Sequence, residues 1–103
     1  MVFFETSVFT RQVQGLLTDD DYADFQSGLA ANPLAGDVIE GTNGLRKIRV
    51  AAKGKGKRGG ARVIYYYVSD AAQIRLLLIY AKSRKDDLTA DEKRVLRGLN
   101  ERW

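Results

Sequence analysis

The period of the apolar residues changes at Leu45, and that change constrains the fold of this chain more than any other feature. Upstream, Phe9, Val13 and Leu16 recur at helical spacing, and Tyr22, Phe25 and Leu29 mark one face of a second helix that Asn32-Pro33 ends. Thr18 with Asp21 three residues on resembles an N-cap followed by an acidic first turn. Downstream the pattern is that of strands. In Leu45-Arg46-Lys47-Ile48-Arg49-Val50, Ile48 and Val50 face one side while Lys47 and Arg49 face the other. Arg62 to Val68 is β-branched and aromatic, and Ile74 to Ala81 supplies another strand. Three strands with short connections are expected to form an antiparallel meander.

The ends complete the outline. Val2-Phe3-Phe4 reads as a short strand, and Gly36 to Gly44 as a loop anchored by Val38-Ile39. Thr89-Ala90-Asp91-Glu92 is a capping box that opens a last helix with Val95, Leu96, Leu99 and Trp103 on one stripe. The expected order is β-α-α-β-β-β-α: an α+β fold in which an N-terminal strand and a helical hairpin pack on a small antiparallel sheet, with a short C-terminal helix. Length supports one domain spanning residues 1–103, because 103 residues with 45% hydrophobic content can build one modest core. Phe9, Tyr22, Phe25 and Trp103 are assigned to that core. Tyr65 and Tyr67 join them, since they share the parity of Val63.

Composition removes whole classes of chemistry. With no cysteine there are no disulfides, zinc–cysteine sites, iron–sulfur clusters or thiol nucleophiles. With no histidine the usual acid/base group near neutral pH is missing. Catalysis by this chain has to use Lys, Arg, Tyr, Ser, Thr or carboxylates. The start, Met1-Val2-Phe3-Phe4-Glu5, has no basic region of a signal peptide, and the longest apolar run, Leu76 to Ala81, is too short for a membrane span. A cytoplasmic protein with no membrane partner is expected.

Charge is strongly segregated. Residues 1–45 carry Arg11 against seven acids, whereas residues 46–103 carry 16 cations against six acids, so a −6 half adjoins a +10 half. Between Glu40 and Asp70 there is no acid, only Arg46, Lys47, Arg49, Lys53, Lys55, Lys57, Arg58 and Arg62. Eight like charges without counter-ions repel, so the basic half is expected to meet a polyanion.

Gly54-Lys55-Gly56-Lys57-Arg58-Gly59 satisfies G-x-G-x-x-G in letters only. A dinucleotide site needs a strand before it, a helix after it and an acid about 20 residues on, and here a strand follows. The chain is too short for kinase machinery, and no Ser or Thr follows a Gly-Lys as a P-loop requires. The segment reads instead as a hairpin loop whose lysines reach a phosphate backbone while glycines permit close approach. If Arg62 and Lys82 join Lys47 and Arg49 on one face, the sheet presents a cationic cleft. Tyr66 shares the parity of Arg62 and Tyr80 that of Lys82; Tyr80 is placed in the cleft, where a ring beside cations can stack a base. Asp86 and Asp87 form no metal-ligand pattern and mark a loop before the capping box.

Gly44 to Val50, Lys53 to Tyr66 and Ile79-Tyr80-Ala81-Lys82 together resemble the HigB-type branch of the RelE toxin superfamily, with Asp87-Leu88-Thr89 and the hairpin ending at Asn32-Pro33 fitting as well. The resemblance covers almost the whole chain, and GKGKRGG joined to RVIYY is its most specific part. It implies the toxin of a type II toxin–antitoxin pair: a small mRNA interferase that enters the ribosomal A site and cuts the message during translation. It implies no metal or organic cofactor. The implied partners are a helix-turn-helix antitoxin of the HigA type, the ribosome with its mRNA, and operator DNA only together with the antitoxin. The acidic first half, with its second helix, is the expected antitoxin side.

Carried over residue by residue, the family's paired cations of the first meander strand match Lys47 and Arg49. Its arginine at the start of the next strand matches Arg62, and its basic residue after the last strand maps onto Lys82 or Arg84. The tyrosine that some members carry near the final turn is absent, and Tyr80 takes its place in the site. Arg46, Lys53, Lys55, Lys57, Arg58 and Arg84 complete the expected RNA- and ribosome-binding set. Attack by a 2′-OH builds charge on the phosphorane oxygens, which Arg49 and Arg62 suit by their bidentate geometry. The proton has to pass to a base, for which a lysine crowded by like charges serves, Lys47 or Lys82, with Tyr80 donating or orienting. The alternatives are a non-catalytic nucleic-acid-binding module on the same basic sheet and a degenerate toxin-fold repressor.

Overall fold

A computed structural model describes residues 1–56, 59–85 and 87–103. The chain runs β1 (Val2–Glu5), α1 (Ser7–Leu16), α2 (Asp19–Ala31), β2 (Asp37–Val38), β3 (Arg46–Val50), β4 (Ala61–Val68), β5 (Gln73–Ala81) and α3 (Ala90–Glu101). Single 3₁₀ turns at Lys53–Lys55 and Ser69–Ala71 precede β4 and β5. Among the described residues the strands form one sheet in the order β1-β5-β4-β3-β2. β3, β4 and β5 are the expected antiparallel meander. Two pairings lie outside it. β1 runs parallel to β5, from Val2 opposite Gln73 to Glu5 opposite Leu76, and Asp37–Val38 adds a two-residue edge beside β3. No helix among the described residues is long and apolar enough to cross a membrane.

Each α-helix among the described residues starts on a threonine. Thr6 Oγ1 accepts the Phe9 N–H, Thr18 Oγ1 that of Asp21, and Thr89 Oγ1 that of Glu92, each at 3.1 Å. Each satisfies an amide that the first turn would otherwise leave without a partner. At α3 the box closes, because Glu92 returns its carboxylate to the Thr89 N–H at 2.9 Å.

The sheet buries both faces. On one side Phe9, Val13, Leu17 and Leu29 from the helical hairpin pack on Val50, Ala61, Val63, Tyr65, Ile74, Leu76 and Ile79. Tyr65 is fully buried there; its hydroxyl accepts the Gly36 N–H at 2.9 Å and donates to the Pro33 carbonyl at 2.8 Å. One phenol thereby ties the end of the hairpin to the sheet centre. Gly36 is fixed by the same contact, since a Cβ there would lie 2.7 Å from the Tyr65 ring.

The other face carries a smaller core of Ile39, Leu45, Ile64, Leu77, Tyr80 and Leu96. α3 closes it with less of its apolar stripe than expected. Leu96 is buried, but Val95 is 66% and Trp103 45% exposed. Trp103 is therefore not a core residue. It follows the helix end, meets Phe4 edge-on at 6.4 Å and lies 5.0 Å from the Arg75 guanidinium. Arg75 also donates to Asn100 Oδ1 at 2.9 Å, so polar contacts share with Leu96 the docking of α3.

Candidate active site

Register determines which cations meet. Arg49 on β3 lies opposite Arg62 on β4, and Arg62 lies opposite Tyr80 on β5. Residues paired across a ladder point to the same face, so these three form one row across the sheet on the α3 side. Lys47, two residues before Arg49, projects from the same face opposite Ile64. Lys82 lies two residues past Tyr80, just beyond the end of β5, with its N–H bonded to the Gly60 carbonyl at 3.2 Å and its side chain against Gly59.

A β-bulge sets this alignment. Ile64 pairs with Leu78 but Tyr65 pairs with Leu76, leaving Leu77 as an extra residue in β5. The insertion shifts the alternation by one position. Leu76 faces the helical hairpin, whereas Tyr80, four residues on, faces the cations. In an unbroken strand the two would share a face.

The row is electrostatically unbalanced. Arg62 is half-buried, and its Nε has no hydrogen-bond partner among the described residues. A buried donor without an acceptor beside a second arginine is a site that gains from an anion. Tyr80 is only 8% exposed. It shares the face of Arg62, but its ring belongs to the second core, and the Lys85 ammonium sits over that ring at 5.1 Å. Burial beneath Leu96 and the strand neighbours is the reason: its row is covered at this end by α3.

Asp87 is the residue that sequence reasoning passed over. Its carboxylate accepts from Lys47 Nζ at 2.9 Å. The bond and the charge of Lys47 hold the Asp87 carboxyl below the usual carboxylate range, with smaller pulls from Arg62 and Lys93. An acid thus stands over a cationic face, brought there by the turn that follows β5. Its proximity to Lys47 spans 40 residues, so no local motif announces it. Lys85, also unassigned, pairs with Glu92 of the capping box.

The expected binding residues divide. Arg46 points away from the row, on the face of Tyr65, and its guanidinium donates to the Gly36 carbonyl at 2.7 Å. It is structural, because a one-residue offset along a strand reverses the side chain. Lys53 and Lys55 are exposed in the turn after β3, and Arg84 is exposed after β5. Lys57 and Arg58 lie outside the described residues. Arg49 and Lys53 flank an open cleft of about 500 Å³ whose floor includes Gly56, Gly59 and Gly60. Gly60 has φ 70°, and a Cβ there would fall 2.3 Å from the Val50 carbonyl oxygen. Only glycine allows that approach.

The arrangement can hold a phosphodiester between two guanidinium groups, with ammonium groups on either side and a phenol at the inner end. A family model described as the RelE toxin of the RelE / RelB toxin–antitoxin system matches residues 1–103, the full length of the chain.

Proposed function

The chain belongs to the RelE toxin family, toxins that pair with an antitoxin, and on that premise we propose that it is a ribosome-dependent mRNA endoribonuclease acting in the cytoplasm. The row Arg49–Arg62–Tyr80 carries this reading. A charge excess on one sheet face, an Arg62 donor without a partner among the described residues and a nearby open cleft suit a single strand whose scissile phosphate lies over the arginines.

The reaction is transesterification. The 2′-oxygen attacks the adjacent phosphorus, the bond to the 5′-oxygen breaks, and a 2′,3′-cyclic phosphate and a 5′-hydroxyl result. Arg49 and Arg62 neutralise the charge that grows on the non-bridging oxygens, an effect larger in the transition state than in the ground state. The 2′-OH proton passes to a lysine of this face, Lys47 or Lys82, and the leaving oxygen receives a proton from a water at the mouth of the site, since the buried Tyr80 hydroxyl does not reach the surface. In the free protein Lys47 is ion-paired with Asp87, a pair that has to open before Lys47 can take the proton. Dependence on the ribosome is what membership of the family implies, and an open site accords with it, because the positioning that the chain lacks then comes from the decoding centre that holds the message. The antitoxin is read as a helix-turn-helix protein of the HigA type, binding operator DNA jointly with the toxin.

Induction of the wild type and of Arg62→Ala in growing cells, with mapping of mRNA 5′ ends, tests the reading. Growth arrest with new ends inside translated codons, absent in Arg62→Ala, supports it. Growth inhibition without new ends would instead identify a non-catalytic nucleic-acid binder.

A further inference from the structure

Thr18 and Thr89 cap their helices alike, yet the acids three residues on behave differently. Glu92 returns to the Thr89 N–H and closes a box, whereas Asp21, one methylene shorter, sends its Oδ2 to the N–H of Gly54 at 3.0 Å. Gly54 lies in the 3₁₀ turn that opens the Gly/Lys loop. Its α-carbon rests on Thr18: a Cβ would stand 2.4 Å from Thr18 Cγ2 and 2.8 Å from Thr18 Oγ1. Ala52, immediately before that turn, is 2% exposed and sits in the main core. The first half of the loop is therefore seated on the N-terminus of α2 through a hydrogen bond, a close backbone approach and a buried alanine.

That seat places one wall of the cleft. Lys53 stands on it, and Arg49 of the cationic row lines the same opening. The α2 side of the seat also brings Asp21 and Asp24 near Arg49 and Lys53. Were these acids only a source of negative field, they would weaken the attraction of the loop for a phosphate backbone. The bond from Gly54 gives one of them a directional task.

We infer that Asp21, seated against Gly54, is a positioning residue that fixes the Lys53–Gly56 turn so that Lys53 and Arg49 receive successive phosphates of the bound RNA strand. This deepens the RNA-cleaving function proposed above and rests on it. The two effects of Asp21 have opposite signs, and this makes them separable. Loss of its charge tightens polyanion binding, while loss of its hydrogen bond frees the turn and weakens binding.

The test compares Asp21→Asn, which keeps a side-chain acceptor and removes the charge, with Asp21→Ala, which removes both, and with Gly54→Ala, whose Cβ would collide with Thr18 and unseat the turn. A labelled single-stranded RNA oligonucleotide without ribosomes reads affinity, and mRNA cleavage on programmed ribosomes reads kcat and KM. Asp21→Asn is expected to bind the oligonucleotide as tightly as the wild type or more tightly. Asp21→Ala and Gly54→Ala are expected to bind about three- to tenfold more weakly and to raise KM by the same factor at unchanged kcat, the effect of one lost hydrogen bond. Tighter binding by both Asp21 variants, or no change in Asp21→Ala, would overturn the inference. If the wild type binds the oligonucleotide yet cleaves nothing, the enzymatic reading fails while the affinity comparison still decides the role of Asp21.

Discussion

Arg49 and Arg62 are direct cross-strand partners in the β3–β4 ladder, two arginines opposed on one face of the sheet. Like charges in that relation cost stability, on the order of 0.2–1 kcal/mol for directly opposed pairs. The sheet retains them beside an Arg62 donor that has no partner among the described residues. A pair that opposes folding and invites an anion is the pattern of a functional site that trades stability for binding. Arg49→Gln is expected to raise stability by about 0.2–1 kcal/mol in urea denaturation and to lower RNA cleavage. Sulfate or phosphate is expected to raise the Tm of the wild type more than that of the variant.

The Tyr65 hydroxyl has the opposite role, being wholly structural. It bridges the Gly36 N–H and the Pro33 carbonyl from a fully buried ring on the hairpin side of the sheet. Tyr65→Phe leaves both backbone groups without their partner and is expected to cost about 1–3 kcal/mol in urea denaturation. RNA affinity of the folded variant is expected to stay at the wild-type level, because the cationic row lies on the other face.

Alkaline pH is expected to destabilise the protein through two phenols. Burial, then the hydrogen bond to the Glu5 carboxylate and its charge, push the Tyr22 hydroxyl far above its ordinary 10.0. Burial also raises Tyr65. A group whose pKa is higher in the folded state than in the unfolded chain contributes stability that is complete below the unfolded value and is lost as pH rises above it. Stability measured against pH is therefore expected to hold to about pH 10 and to fall beyond it. Tyr22→Phe is expected to make that fall shallower.

Asp87 stands over the basic face with its carboxyl held below the usual range by Lys47. Its charge opposes an incoming phosphate. Asp87→Asn is expected to tighten binding of a single-stranded RNA oligonucleotide and to steepen the dependence of affinity on salt, as removal of an acid from a phosphate-binding surface requires. Titration of wild-type binding is expected to show the same tightening only at pH values below the ordinary carboxylate range, where Asp87 becomes protonated.

Much of this was legible in the sequence because it is local. The alternation of Lys47 and Arg49 with Ile48 and Val50 placed the cations on one face, and Thr89 with Glu92 marked the start of α3. The parity of Val63 assigned Tyr65 and Tyr67 to the core. The remainder depends on contacts between distant segments. Parallel pairing of β1 with β5 joins residues at opposite ends of the chain, and no spacing within either strand reveals it. The extra Leu77 that turns Tyr80 toward Arg62 is a register event, visible only once β4 and β5 are paired. Arg46 counted as a cation in composition, yet its position one residue from Lys47 sends it to the opposite face and to the Gly36 carbonyl. Asp87 looked like part of a polar turn until the fold set it against Lys47.

The most direct measurement is single-turnover cleavage of a defined message on purified ribosomes with an open A site, alongside the same message free in solution. The wild type is expected to cut within the A-site codon, leaving a 2′,3′-cyclic phosphate, and to leave free RNA intact. Arg62→Ala, folded by circular dichroism, is expected to lose about 10²–10³ in rate, the effect of removing one preorganised donor from a developing oxyanion. A wild type that leaves the ribosome-bound message whole, or an Arg62→Ala variant that cuts it as fast, would contradict the assignment of the Arg49–Arg62–Tyr80 row as the site of RNA cleavage.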